Sequence, residues 1–491
     1  MDPPGKPRLL VVVFVALFVG FGFLGSRGIW DPDEGRYTNV ALNMVDSGDW
    51  LDPRRNDDVD HWTKPPLTYW AIAASTELFG RNAWAVRLPV AIAYLLSVAL
   101  TWQLARRLAP GAEAVAALAF ATMLVPALAS QLITTDFLLA AFEALAMSAY
   151  VEGRYGVHER RFRWWVAMWV AFGLAFLTKG PPALLPLAAI LVLERLVPAQ
   201  VTRRGQLFPA VVAFLLVAVP WYVAVSVRHP GLLRYFVGTE VVGRVVSDQF
   251  GRNGEWYGWA VVYLPTLLVG ALPWTASMAR WVCTIPAKVR RWGAPAARLA
   301  DSAELLLTIW VLIPLVVFCI ARSRLPLYLL PLFVPLSILI ARQRQSERRT
   351  LPSLPWIGAT VVGLIVMRVA MVLWPTSQNS LAWAEEIQRR STEPVTEVVF
   401  INDAARYGLK LHLTAEVERV SIASVTEAGF NPPFDDSLAR ELAEAEPGVV
   451  YVVQENQWPA VKRSIGALGG HQLLRLGEPY RQRIFFTVTV R

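Results

Sequence analysis

Cysteine and histidine are scarce in this chain of 491 residues, which holds two cysteines and five histidines. The cysteines, Cys283 and Cys319, have neither the number nor the spacing of a disulfide framework or a zinc-ligand set. We also find no internal repeat and no low-complexity segment. Small disulfide-rich proteins and cysteine-based metal modules are therefore excluded.

Charged residues are few as well, at 17% of the chain, whereas hydrophobic residues make up 55%. Soluble domains are closer to about 45–50% apolar. Repeated apolar runs of about 20 residues indicate transmembrane helices, because that length crosses the hydrocarbon core of a bilayer. The net charge of +9 must first be divided between the two membrane faces, so it does not indicate a nucleic-acid partner.

We predict a polytopic α-helical membrane protein with about 11 to 13 transmembrane helices. Lys6 and Arg8 precede the first span, so the N-terminus is expected in the cytoplasm. An uncleaved span is favoured over a signal peptide, because no A-x-A-like site follows the apolar run. The predicted spans are roughly 9–25, 84–105, 113–131, 137–153, 164–178, 181–198, 207–227, 257–281, 303–321, 326–341 and 354–374.

Alternation of these spans places the most basic connections on the cytoplasmic side, as the positive-inside rule requires. They are 154–163, the Arg203-Arg204 turn, 280–298 and 342–349. The long segment 26–83, which is rich in carboxylates, then lies on the outer face. We expect a cell inner-membrane protein whose segment 26–83 is a periplasmic catalytic loop.

After Trp374 the apolar runs shorten and the charge rises, which divides the chain into a transmembrane domain, 1–374, and a small soluble α/β domain, 375–491. Span parity places this second domain in the periplasm. Strands are predicted at 397–401, 417–422, 449–453 and 483–490, and helices at 382–390, 404–411, 437–444 and 458–467.

The pair Asp33-Glu34 follows the first span directly, with Arg36 and Tyr37 just after it. Adjacent carboxylates at a membrane surface can serve as a general base or a cation site, although a solvated loop would also contain such a pair. The apolar and polar pattern that follows predicts a short interfacial helix with the carboxylates at its N-terminal end.

Two lysines precede Pro-Pro pairs. Lys64 stands on a stiff backbone that excludes a helix through it and is a candidate phosphate contact; snorkelling to lipid headgroups is the alternative. Lys179, in Lys179-Gly180-Pro181-Pro182, lies inside an apolar stretch where an ionisable residue is costly and therefore more often functional.

Further polar residues fall at predicted outer turns. Asp136 follows Thr134-Thr135 and is a candidate site residue or a helix cap. Outer turns should be poor in arginine, so arginines there indicate an anionic ligand. These candidates are Arg228, Arg244 and Arg324, together with Glu240 in the same outer segment as Arg244.

In their order and spacing these residues resemble the type C glycosyltransferases of the aminoarabinose transferase and protein O-mannosyltransferase-like family. The resemblance covers roughly 29–340. The matching motifs are Asp33–Tyr37 with Ser47–Trp50, Lys64–Trp70, Thr178–Pro181, His229–Gly231 with Tyr235-Phe236, and Ser323–Tyr328.

The resemblance implies transfer of a sugar from a polyprenyl-phosphate carrier to a lipid or glycan acceptor, with inversion by direct displacement. It implies a catalytic group of Asp33, Glu34 and Arg36, with Asp33 as base or acceptor positioner. Carrier-phosphate contacts are expected from Lys64, Arg244, Lys179 and Arg324, since cations stabilise the charge that develops on the leaving phosphate. Positioning roles are expected for Tyr37, Asp136, Tyr69, Arg228, Glu240 and Tyr328.

The chain departs from the family at Thr63 and Val241, where the aminoarabinose transferase has two residues able to ligate a metal. We expect no zinc there, while a loosely bound Mg²⁺ carried by acceptor phosphates stays open. The donor sugar is left open too. A protein O-glycosyltransferase is the alternative within the family, and a polyprenyl-lipid transporter is a remote one, because transporters place ionisable residues at the bilayer midplane.

Overall fold

The structure is a computed structural model that describes residues 6–156, 161–198, 204–243, 252–349, 351–424, 429–444 and 446–490. By its contacts the chain divides into two compact units. The first unit is Met1–Leu24 with Pro89–Met371, and the second is Gly25–Leu88 with Val372–Arg491. The contacts thus group the predicted catalytic loop with the C-terminal part, and the domain boundary near 374 stays a prediction.

Helices dominate the described chain up to Leu373. They are α1 (Lys6–Phe21), α2 (Asp33–Ser47), α3 (Leu67–Phe79), α4 (Ala83–Leu108), α5 (Glu113–Thr122), α6 (Leu124–Ala129), α7 (Asp136–Tyr155), α8 (Arg161–Lys179), α9 (Leu185–Leu196), α10 (Arg204–Arg228), α11 (Leu232–Tyr235), α12 (Gly258–Gly270), α13 (Thr275–Arg291), α14 (Pro295–Ala300), α15 (Ser302–Ile320), α16 (Phe333–Ser346) and α17 (Leu354–Leu373). Single 3₁₀ turns precede α9 and α16, at Pro181–Leu184 and Pro326–Leu332, and a π-helical stretch covers Phe236–Gly243.

Among the described residues, five helices are long and apolar enough to cross a membrane, or six if the bent pair α12 and α13 is one span. The pair is bent by 118°. Helices lie at every predicted span, yet fewer pass this test than the 11 to 13 predicted. Breaks explain part of the difference: Met123 separates α5 from α6, and the apolar run at 181–198 begins with a 3₁₀ turn.

In the first unit α7 packs against α8, α8 against α10, α9 against α15, and α5 against α16. Residues 114–122 of α5 are all buried, and five of them are alanines. Small side chains let helix backbones approach closely, which is how helices associate in a lipid environment.

The second unit contains a six-stranded sheet. Its strands are β1 (Glu397–Ile401), β2 (Glu416–Ser421), β3 (Asp436–Ser437), β4 (Val449–Gln454), β5 (His471–Arg475) and β6 (Arg483–Val490). The strand order is β3-β2-β1-β4-β6-β5; the first four strands run parallel, while β6 pairs antiparallel with β4 and β5.

Helices cover both faces of this sheet: α18 (Ser380–Arg390), α19 (Leu409–Leu413), α20 (Leu438–Glu444) and α21 (Trp458–Leu468). Alternate residues of β1 enter different cores, because side chains along a strand point to opposite faces. Val399 packs with Leu438 on one face, and Val398 packs with Trp383 on the other. The predicted α/β fold of the C-terminal part is confirmed. The helix predicted at 404–411 is shorter in the structure and covers Leu409–Leu413. Strand β5 was not predicted.

Candidate functional site

Asp33 is the first residue of α2, and Glu34 the second. Arg36 Nη2 donates to Asp33 Oδ1 at 2.6 Å, and about half of the Asp33 side chain is exposed. The N-terminal end of a helix favours negative charge, so this position suits an exposed carboxylate. The helix and the place of its carboxylates agree with the sequence prediction.

Glu34 is instead buried between two arginines. Arg27 Nη1 and Nη2 donate to its carboxylate at 2.6 and 2.9 Å, and Arg87 Nη2 donates at 3.1 Å. Burial opposes ionisation, but the two guanidinium groups lower the pKa of Glu34 to about 2. These contacts support a positioning role, in which Glu34 anchors the start of α2, and a direct catalytic role for it stays a prediction.

Lys64 precedes α3, which begins at Leu67. Lys64 Nζ donates to the Thr63 carbonyl at 2.7 Å, and the Thr63 hydroxyl is 2.7 Å from His61 Nε2. Burial, together with the positive charges of Arg36, Arg55 and Lys64, holds the pKa of His61 well below its ordinary value. His61 is therefore a neutral imidazole in a strongly cationic environment.

Aromatic rings line the same part of the second unit. The rings of Tyr37 and Tyr69 are 5.6 Å apart, and the Arg36 guanidinium lies 5.3 Å from the Tyr37 ring. His61 meets the Tyr69 ring edge-on at 6.4 Å. The unit thus brings five predicted residues, Asp33, Arg36, Tyr37, Lys64 and Tyr69, around one unpredicted histidine.

Several buried polar atoms here have no hydrogen-bond partner within the described part of the chain: Thr38 Oγ1, Thr68 Oγ1, His61 Nδ1 and Arg36 Nε. Leaving such an atom without a partner costs about 1–3 kcal/mol. All four residues lie within five positions of Asp33 or Lys64 in sequence, so a polar ligand bound there would find donors and acceptors to pair with.

The loop that leads to Lys64 is held by contacts at Arg55 and Asn56. Asn39 and Asn43 of α2 donate to the Arg55 carbonyl, the latter at 2.9 Å. The Arg55 guanidinium forms a buried ion pair with Asp435, and Asn56 Nδ2 donates to Glu418 at 2.7 Å. The segment that positions His61 and Lys64 is therefore fixed to the sheet of the same unit.

The first unit contains a second group of predicted residues. Lys179, the last residue of α8, forms an ion pair with Asp136, the first residue of α7, and lies 4.4 Å from the centre of the Tyr328 ring. Gly180 follows at a φ of 74°, a left-handed conformation that favours glycine, and turns the chain into Pro181. The structure brings these three predicted residues together.

The Arg324 guanidinium forms hydrogen bonds with backbone carbonyls. It donates to the carbonyls of Asn253, Glu255 and Cys319 at 2.6, 2.7 and 3.0 Å and is buried. These bonds support a role in holding the turn before Pro326, and phosphate binding by Arg324 stays a prediction.

The other outer residues are more dispersed. Glu240, in the π-helical stretch, accepts from the hydroxyl of Tyr235, the last residue of α11, at 3.2 Å. Arg228 is exposed at the end of α10. Arg244 lies outside the described residues.

Sequence reasoning missed three features. Arg27 and Arg87 were not linked to Glu34, because 53 positions separate Arg87 from it. His61 was passed over, although it is three residues from Lys64 in a chain with five histidines. Glu143, 4% exposed, lies two turns beyond Asp136 on the same face of α7 and was a recognisable intramembrane carboxylate.

Known proteins share sequence and fold with this chain. A family model described as "Dolichyl-phosphate-mannose-protein mannosyltransferase" matches residues 63–223. An undecaprenyl phosphate-alpha-4-amino-4-deoxy-L-arabinose arabinosyl transferase of Edwardsiella ictaluri is 31% identical over 68% of this chain and 58% of its own length. An Aeromonas hydrophila protein of the same name is 30% identical over 74% of this chain and 65% of its own length.

The matches thus span about three fifths of the length of these curated relatives. Among solved structures, ArnT from Cupriavidus metallidurans bound to undecaprenyl phosphate superposes with a TM-score of 0.77 over 98% of both chains, at 22% identity. That likeness establishes a shared fold, a multi-pass helical membrane part with a small C-terminal sheet. The chain belongs to the type C glycosyltransferases of the aminoarabinose transferase and protein O-mannosyltransferase-like family.

Proposed function

We propose that this chain transfers a sugar from a polyprenyl-phosphate carrier to an envelope acceptor, such as lipid A, lipopolysaccharide or another glycan, at the periplasmic face of the inner membrane. One observation carries the proposal: an exposed carboxylate, Asp33, is paired with Arg36, and both Arg36 and Lys64 lie within electrostatic reach of buried His61. A donor phosphodiester needs cations, and an acceptor oxygen needs a base or a positioning carboxylate.

In the proposed reaction an acceptor oxygen attacks the anomeric carbon of the sugar from the face opposite the carrier. The bond between that carbon and the phosphate oxygen breaks, and the carrier leaves as polyprenyl phosphate. A hydroxyl acceptor gives its proton to Asp33, whereas an anionic acceptor has none to give and is only positioned. Lys64 stabilises the negative charge that develops on the leaving phosphate. A single displacement inverts the anomeric centre.

The names of the relatives support an undecaprenyl-phosphate carrier, since two of them are named for a donor of that type and a structure of the same fold was solved with the carrier bound. The names of the relatives do not carry over to the sugar that this chain transfers. Thr63 is engaged with His61, and Val241 has no ligating atom, so these two positions do not fit a metal. No step of the reaction runs through one, and aminoarabinose is left as one candidate among pentoses and hexoses.

A protein acceptor is the second candidate. The family model that covers residues 63–223 carries the name of a protein mannosyltransferase, and the contacts of Asp33 and Lys64 would serve a serine or threonine hydroxyl equally well.

The test is a comparison of lipid, glycan and protein fractions from cells with and without the gene. Mass spectrometry should detect one sugar added in the lipid or glycan fraction when the gene is present. An added hexose on peptides would support the second candidate. Unchanged masses in all three fractions, with the protein present in the membrane, would contradict transferase activity.

A further inference from the structure

Three glutamates meet on one face of the C-terminal sheet. Glu397 begins β1, Glu418 lies within β2, and Glu441 lies on α20, which covers that face. In the parallel register Val399 pairs with Glu418, so Glu397 and Glu418 project from the same face. One carboxylate oxygen from each of the three residues lies within 4.8 Å of the others.

Two of the three glutamates are buried and Glu418 is half-buried, and the cluster has no cation from the described residues. Glu397 is 7% exposed and Glu441 is 5% exposed, and neither forms an ion pair in the described ranges. The Glu397 carboxylate also has no hydrogen-bond partner there, although it points at the other two carboxylates. Two arginines of the same unit pair with other carboxylates, Arg55 with Asp435 and Arg440 with Asp436.

Three carboxylates this close together, two of them buried, repel each other unless protons or a cation neutralise them. More acids adjoin the cluster, among them Glu416, Glu444 and Glu446. The site is therefore built to attract positive charge.

The donor atoms indicate which cation. Every donor is a carboxylate oxygen, which suits hard cations rather than zinc or copper. The three oxygens lie within 4.8 Å of one another, so one ion can contact all three. Ca²⁺ accepts six to eight oxygens in flexible geometry, whereas Mg²⁺ demands near-ideal octahedral geometry and keeps several waters. A set of three carboxylates from separate elements therefore fits Ca²⁺ better.

The same acidic patch holds the loop before Lys64. Asn56 Nδ2 donates to Glu418 at 2.7 Å, and the Asp57 amide donates to Glu416 at 2.7 Å. Neutralising the cluster would fix the orientation of the Glu418 carboxylate and, with it, the position of Asn56.

We propose that Glu397, Glu418 and Glu441 form a structural Ca²⁺ site that fastens the loop of residues 54–60 to the sheet. The proposal depends on the geometry of the second unit and is independent of which sugar or acceptor the protein uses.

The test uses the purified full-length protein in detergent, stripped of metal with EGTA. Calcium titration followed by calorimetry and by thermal unfolding at neutral pH should give saturable binding in the micromolar to millimolar range of such sites, with a raised Tm. Glu397→Gln should weaken calcium affinity at least about tenfold, because affinity follows the charge of the ligand set. Glu478→Gln, an equal charge change at a carboxylate that is 94% exposed on the same unit, should bind calcium as the parent does.

A second measurement avoids reliance on variants that fail to fold. The Tyr451 hydroxyl is 3.5 Å from Glu441, so a bound Tb³⁺ ion should emit on tyrosine excitation, and calcium should compete the emission away. Tyr451→Phe should reduce the signal. Absence of calcium-competed emission together with a Tm unaffected by millimolar calcium would overturn the proposal, as would a Glu397→Gln variant that is more stable yet binds calcium normally. The carboxylates would then share protons instead.

Discussion

Arg87 Nη2 donates to Glu34 Oε2 at 3.1 Å and Arg87 Nε donates to Glu34 Oε1 at 3.3 Å, across 53 positions of sequence. The guanidinium also donates to the carbonyls of Arg27 and Gly28. The side chain of Arg87 is fully buried. One arginine thus closes the chain around the N-terminal end of α2, whose first residue is the proposed base.

Glu34→Gln should destabilise the protein. The change leaves Arg27 and Arg87 buried without their anion, and breaking a buried pair in this way costs about 3–5 kcal/mol. Thermal unfolding in detergent measures it. The matched control is Glu152→Gln, whose partner Arg107 is 43% exposed and whose loss should cost about 0–1 kcal/mol. Equal shifts for the two variants would show that the buried arginines do not depend on Glu34.

Asp33→Asn should lower turnover about 10²-fold or more if the acceptor is a hydroxyl that needs a base. The variant keeps the size of the side chain, so insertion in the membrane and binding of polyprenyl phosphate should be preserved. Single-turnover assays with a labelled donor separate these effects. Asp58→Asn, in the exposed part of the same loop, should be as active as the parent. Near-normal turnover in Asp33→Asn would exclude an essential base at this position.

Lys64→Ala should weaken binding of polyprenyl phosphate tenfold to a hundredfold, since a charge-assisted contact contributes about 1.5–3 kcal/mol. The loss should be the same with or without the sugar. Lys64→Arg should restore part of the affinity, because a planar guanidinium does not replace a compact ammonium on a fixed backbone. Lys462→Ala, an exposed lysine of α21, is the control. Unchanged carrier affinity in Lys64→Ala would place the phosphate elsewhere.

The stability of the second unit should depend on pH through Asp31. Burial raises the pKa of Asp31 from 3.8 to about 7, although the Gly408 amide and Arg406 oppose the shift. Between these values the folded protein holds a proton that the unfolded chain has lost. The stabilisation of the folded state by this proton on Asp31 is therefore complete below pH 3.8 and disappears as pH rises through about 7.

Asp31→Asn should flatten this dependence, because the amide does not titrate. Thermal unfolding of both proteins across that pH window measures the difference, with Asp58→Asn as control. A Tm for the Asp31→Asn variant that falls with rising pH as steeply as that of the parent would assign the dependence to other groups, of which the carboxylates around Glu397 are the obvious ones.

Local features of the sequence predicted much of this structure. The ends of β1 and β6 agree with their predicted limits, because continuous β-branched and aromatic runs there lie between clear turn signals. Pro65-Pro66 correctly predicted that α3 begins after Lys64. Each of these signals needs only neighbouring residues.

Features that depend on distant partners were not predicted. Periodicity could not show that Glu34 meets Arg87, or that Arg55 meets Asp435, since both pairs form only after tertiary folding. The helix expected at 404–411 has its regular part at 409–413, because Asp403 and Asn402 use their side chains in local and cross-strand bonds before it. β5, with alternating partial exposure at the sheet edge, lacked the apolar run of the inner strands.

The second unit joins two stretches of chain that are made far apart in time. Asp31 accepts from the Gly408 amide across 377 positions. At ribosomal rates of about 5–20 residues per second, the segment with Asp33 and Lys64 waits roughly 20 to 75 s for these partners. A nascent or truncated chain therefore contains Asp33 and Lys64, the proposed base and phosphate contact, before the second unit that positions them can fold. Termination before Gly408 should therefore leave a chain that inserts in the membrane but lacks the contact that Asp31 makes in the complete second unit.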